Sequence, residues 1–134
     1  TATAAQLTEL LGKDRETLVV VDDYEVLGND HALTAPLEAH VKGCRDSAGG
    51  VLVACNIDEA QGLYRGFMTT VRKNRTGLLL APRAPDDGNI FSTRLPRSVG
   101  APAPLGRAIM ITTQGWTWVQ VPHAADPRTG PADL

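Results

Sequence analysis

Two adjacent carboxylates, Asp22 and Asp23, follow directly on the apolar run Leu18-Val19-Val20-Val21. A short apolar run with no polar interruption reads as a strand covered on both faces, and the next residue emerges at its C-terminal end. Open α/β sheets bind ligands at that edge. An acid there can hold Mg²⁺ through its oxygens, directly or by way of water. A second acid immediately after it can point at a water molecule and polarise it for attack on a phosphate. The same pair also suits a plainer task, because Asp-Asp opens turns and caps helices, and Tyr24 to Gly28 is a segment to be capped. Both readings follow from the pair alone.

A strand ending in paired acids has the form of a Walker B element with an adjacent catalytic acid. Its usual partner is missing. No GxxxxGK followed by Ser or Thr occurs in the sequence; Gly12-Lys13-Asp14 lacks the hydroxyl, and Leu7 stands where the leading glycine belongs. A complete NTPase site is therefore not expected from this chain in isolation. His40 and Cys44 have the i, i+4 spacing of two metal ligands on a helix, but no further Cys or His lies nearby, and Cys44 reads as a small buried side chain. Ser47, Ser92 and Ser98 lack the surroundings of a nucleophile elbow. Trp116 and Trp118 could stack on bases, yet an edge hairpin covering the core explains them more cheaply.

The elements that must position these residues are legible as apolar runs. Leu18 to Val21, Val51 to Ala54 and Leu78 to Ala81 are continuous, which predicts a mostly parallel sheet flanked by helices. Ala4 to Leu11 is a helix stopped by Gly12, and Leu33, Leu37 and Val41 mark a second helix with Pro36 in its first turn. A third is expected from Asp58, with Leu63, Phe67 and Val71 on its apolar face and Arg72, Lys73 and Arg75 at its end. Ala108 to Thr113 and Trp116 to Val121 flank Gln114-Gly115 as a late hairpin at a sheet edge. Residues 1–122 read as one α/β domain, and 123–134, rich in Pro, Ala, Asp and Gly, as a flexible polar tail.

Composition narrows the function classes. A length of 134 residues holds one compact domain, and 43% hydrophobic with 21% charged residues is ordinary for a globular chain. The net charge of −2 provides no overall basic field for nucleic acid or anionic membrane. No apolar run approaches the ~20 residues of a membrane span. Cys44 and Cys55, eleven positions apart, make neither a disulfide framework nor a zinc site, which suits a reducing cytosolic setting.

Four stretches together carry a family likeness: LVVVDDYEVL (18–27), GGVLVACNIDEAQG (49–62), TGLLLAP (76–82) and DDGNIFSTRLP (86–96). With the later PAPLGRAIMI (102–111), the chain resembles the C-terminal half of an FtsK/SpoIIIE-type ATPase domain, particularly the actinobacterial, type VII secretion (EccC-like) branch. The resemblance implies a partial RecA-like P-loop NTPase fold without its Walker A segment. It implies ATP and Mg²⁺ as ligands, Asp22 on the Mg²⁺ side, Asp23 at the general-base position and Asn56 as a sensor of the γ-phosphate. Asn56 reads equally as a helix-entry residue beside Asp58.

The resemblance also implies partners: upstream ATPase modules, further copies in a homo-oligomer or ring, and a secreted protein substrate in preference to DNA. A location at the cytoplasmic face of a membrane, reached through other parts of a longer protein, is expected with it. Asp at the second acidic position, where fast translocases carry Glu, shortens the reach to water by one methylene. A degenerate, non-catalytic docking or regulatory module is the alternative. Arg94, Arg97 and Arg107 are loop-region arginines that could face a neighbouring subunit's nucleotide or simply be solvated.

Overall fold

The computed structural model describes residues 3–13, 16–28 and 30–122. The chain divides into two compact units, Thr1–Asn74 and Arg75–Leu134. The expected tail, 123–134, lies outside the described residues.

The first unit runs α1 (Ala4–Lys13), β1 (Leu18–Val21), α2 (Tyr24–Leu27), α3 (His31–Gly43), β2 (Gly50–Val53), α4 (Ile57–Gly62) and α5 (Phe67–Arg72). β1 and β2 are parallel, in a register that sets Leu18 against Gly50 and Val21 against Val53. Asp30 starts α3 by accepting the N–H of Ala32 at 2.9 Å, and the expected stripe buries Leu37 and Val41. The core gathers Val21, Tyr24, Ala60, Phe67 and Met68 with those two residues, and the Tyr24 and Phe67 rings lie 5.5 Å apart. His40 Nε2 sits 3.2 Å from the Thr17 carbonyl and ties α3 to the start of β1.

Several helix boundaries differ from the sequence expectation. α1 passes through Gly12 and ends at Lys13, because one glycine costs a helix only about 1 kcal/mol. α3 begins at His31, so Pro36 sits in its second turn rather than its first. The single helix expected after Asp58 is two. Leu63 takes an extended conformation and Gly66 a φ of 77°, which no helix continues through. Arg72 then serves α4 rather than only its own helix end. Its Nη1 donates to the carbonyls of Ala60 (3.2 Å) and Leu63 (3.1 Å), groups left without partners where α4 stops.

The second unit is a three-stranded antiparallel sheet in the order β3 (Gly77–Leu80), β4 (Arg107–Thr112), β5 (Gly115–Gln120). A 3₁₀ segment, Pro85–Phe91, follows β3, and Asp87 seeds it by accepting the N–H groups of Arg83 (2.6 Å) and Ala84 (3.1 Å). Leu79, Ile90, Leu95, Val99, Ala108, Ile109 and Ile111 are buried. The hairpin turn falls on Thr113-Gln114, one residue earlier than expected.

The α/β class holds, with helices about a parallel pair and a hairpin in an antiparallel sheet. Two details are corrected. The third apolar run pairs antiparallel with β4, so parallel pairing is confined to β1 and β2. The runs are also not covered on both faces: Leu18, Val20 and Leu52 are 63%, 62% and 59% exposed. A four-residue apolar run encodes burial potential but neither strand direction nor what covers each face.

Candidate functional site at the C-terminal edge of the parallel strands

The ladder between β1 and β2 continues past both strands. Ala54 donates to the Val21 carbonyl at 2.8 Å, and Tyr24 donates to the Ala54 carbonyl at 3.1 Å. Asp22 and Asp23 therefore lie in a turn clamped to the end of β2, two residues short of Asn56. The three residues singled out from sequence leave the same edge of the same parallel pair.

Each has a defined local task. Asp22 Oδ1 accepts the backbone N–H of Asp23 at 3.0 Å. Asp23 stands before α2 in the left-handed region, φ 47° and ψ 55°, and its side chain makes no cap hydrogen bond. Its carbonyl accepts from Val26 at 2.8 Å, closing the first turn of α2. Both carboxylates are exposed. Asn56 is the N-cap of α4, its Oδ1 accepting from Asp58 at 3.0 Å and its carbonyl from Ala60 at 3.0 Å. Asn56, and not Asp58, starts that helix.

Beside this edge lie the buried Tyr24 ring and the half-buried Cys55. Burial, and secondarily Glu25, pushes the Cys55 thiol above its ordinary pKa. Burial, with Cys55 nearby, also raises the Tyr24 phenol. Among the described residues no three His, Cys, Asp or Glu side chains converge as a metal site. A divalent cation at Asp22 would draw its other ligands from phosphate oxygens and water, the usual habit of Mg²⁺. An exposed oxygen donor at a sheet edge fits that requirement.

The remaining sequence candidates are dispersed. His40 turns to Thr17, while Cys44 closes the end of α3 with its thiol pKa raised by burial. Arg94 and Arg97 are exposed. Arg107 instead lies over the Trp118 ring, 5.7 Å from its centroid.

Cavities among the described residues were not read from the sequence. One, of about 610 Å³, is lined by residues including Arg83, Arg107 and Trp118 within the second unit. Another, of about 560 Å³ in the first unit, includes Lys42, Arg45 and Lys73. Neither is lined by Asp22, Asp23 or Asn56. The Pro- and Ala-rich stretch 101–106 was the available signal for the first, since such a loop wraps rather than packs as a helix.

Among solved structures, the chain is similar to Thermomonospora curvata EccC (ATPases 2 and 3) in complex with a signal sequence peptide. The TM-score is 0.67 at 20% identity, over 94% of this chain and 27% of that one. This chain thus spans about a quarter of that solved chain's length. At that identity the likeness shows a shared fold. No family model matches the chain, and no curated protein matches it. No helix among the described residues is long and apolar enough to cross a membrane.

Proposed function

We propose that this chain is the Walker B-bearing part of an ATP-dependent translocase of the FtsK/SpoIIIE type, working in protein export of the type VII secretion kind. The observation that carries the proposal is the clamped Asp22-Asp23 turn at the C-terminal end of a parallel strand pair, in a chain with the fold of an EccC ATPase segment. Residues 1–122 are taken as the ATPase part, with 123–134 as an appended tail. An upstream phosphate-binding segment completes the site.

In this reading Asp22 offers a carboxylate oxygen to Mg²⁺, which when bound neutralises charge on the nucleotide phosphates. Asp23 accepts a proton from the attacking water, and the Asn56 amide orients a phosphate oxygen or that water. Neighbouring ATPase modules and further copies in a ring complete the assembly at the cytoplasmic face of a membrane. A secreted protein is the substrate: the EccC structure is a complex with a signal sequence peptide, and the net charge of −2 gives DNA no general attraction.

The test is ATP turnover by the full-length protein that contains this segment. Asp23→Asn is expected to lower turnover by about two orders of magnitude or more while nucleotide still binds. Near wild-type turnover would remove Asp23 from the base role. The 134-residue chain alone, without a phosphate loop, is expected to bind Mg-ATP weakly.

A second reading, a docking or regulatory module that keeps the fold and does no hydrolysis, is favoured by one contact. Asn56 Oδ1 is already engaged by the Asp58 N–H at 3.0 Å. A full-length wild-type protein with intact nucleotide binding and no turnover selects it.

A further inference from the structure

The second unit carries a cleft and an open strand edge side by side. The cleft, of about 610 Å³, is within the range of ligand pockets. Its polar side chains are Arg83, Ser98 and Arg107, and no carboxylate is among its lining residues. Its apolar wall includes Pro102, Pro104, Leu105 and Trp118, with Leu105 95% exposed. Arg107 is held over the Trp118 ring, so a guanidinium and an aromatic surface are presented together.

Trp118 also belongs to β5, the last strand in the order β3-β4-β5. Val121 donates to the Gly106 carbonyl at 2.8 Å, which makes that pair hydrogen-bonded. Hydrogen-bonded and non-hydrogen-bonded pairs alternate along an antiparallel ladder. Val119 and Thr117 therefore bond β4, while the backbone N–H and C=O groups of Trp116, Trp118 and Gln120 point away from it. Among the described residues, β5 pairs only with β4.

We propose that this edge and cleft form a docking site for an extended, acidic peptide segment. The segment adds as a strand along Gly115–Gln120 and lodges one acidic side chain, beside an apolar one, against Arg107 and Trp118. Charge selects the occupant: a guanidinium-bearing cleft without lining acids favours a carboxylate, and guanidinium–carboxylate pairing is geometrically specific. The alternating backbone groups of an edge strand are satisfied by another extended polypeptide. This site lies in the second unit and does not depend on the nucleotide reading, which rests on Asp22 and Asp23 in the first.

The probe is a short, fluorescein-labelled, end-capped peptide of alternating valine and threonine with one central glutamate, titrated against the chain by anisotropy. Saturable binding is expected, weakened about tenfold or more when that glutamate becomes glutamine, or when the protein carries Arg107→Gln. Proline at alternate peptide positions should abolish it, because those positions then cannot donate to the edge. Amide exchange in the wild-type complex should slow at Trp116, Trp118 and Gln120. Absence of binding, equal binding of the glutamine peptide to wild-type protein, or exchange protection only outside β5 would each overturn the proposal. The peptide-side changes keep the test valid even if Arg107→Gln fails to fold.

Discussion

The Asp22 carboxylate accepts the backbone N–H of Asp23 at 3.0 Å, and Asp23 holds a left-handed backbone with φ 47°. The two facts belong together. The left-handed turn swings the chain from β1 into α2, and the Asp22 oxygen satisfies a donor exposed by that swing. A left-handed conformation costs an ordinary L-residue about 1–2 kcal/mol, and Asp tolerates it better than most. Asp23→Gly is therefore expected to leave stability unchanged or slightly raised, whereas Asp23→Val should cost about 1–2 kcal/mol. Urea unfolding of the two variants checks this, and equal midpoints would show that the turn is not held in that conformation.

Asn56 has a structural and a proposed chemical task that different substitutions separate. As the N-cap of α4 it satisfies the Asp58 N–H. Asn56→Ala should cost about 1 kcal/mol, and Asn56→Asp should keep the cap and the stability. If the amide also orients a phosphate oxygen, Asn56→Asp places a negative charge where that oxygen sits and lowers turnover in the full-length protein. Thermal unfolding paired with ATP turnover reads both. Stability and turnover both retained in Asn56→Asp would leave the residue a cap alone.

Why the acids could be found from sequence and their surroundings could not is a matter of range. Leu18 to Val21 is bounded by polar residues, so its limits and the position of Asp22 follow from local chemistry. The left-handed turn at Asp23 depends on Tyr24 bonding Ala54, thirty positions away, and no local signal carries that. The break at Leu63–Gly66 is held by Arg72, which the sequence suggested only as a helix-end cation. The direction of β3 depends on Ala108 to Ile111, which align with it only once the intervening loops are formed.

Glu38 gives the first unit a pH-dependent tie. It pairs with Lys42 at 2.9 Å on α3 and accepts from the Thr70 hydroxyl of α5 at 3.3 Å. The hydrogen bond from Lys42 chiefly holds its carboxyl below the ordinary glutamate pKa, against a smaller opposing effect of burial. A carboxylate with a lowered folded-state pKa adds stability above its unfolded value and loses it as pH falls through the folded one. Wild type should therefore exceed Glu38→Gln in melting temperature at neutral pH, with the gap closing as the pH falls below about 4. Lys42 is exposed and Glu38 partly so, and solvent screening keeps the gap small. A gap that widens in acid would contradict the assignment.

One side of the parallel pair is left uncovered. Leu18, Val20 and Leu52 share one face through the register Leu18–Gly50 and Val20–Leu52, and each is more than half exposed. Parallel strands are otherwise found covered on both faces, because their apolar side chains have no favourable contact with water. In the proposed translocase, the upstream segment covers this face. For the 134-residue chain alone, the same physics favours self-association. Sedimentation velocity should show concentration-dependent growth beyond the monomer, and Val20→Lys with Leu52→Lys should shift it toward monomer while circular dichroism stays unchanged. The two lysines face water, so their cost to the fold is small compared with burying a charge. A wild-type chain that stays monomeric up to high concentration, without binding a hydrophobic dye, would mean that this face needs no cover.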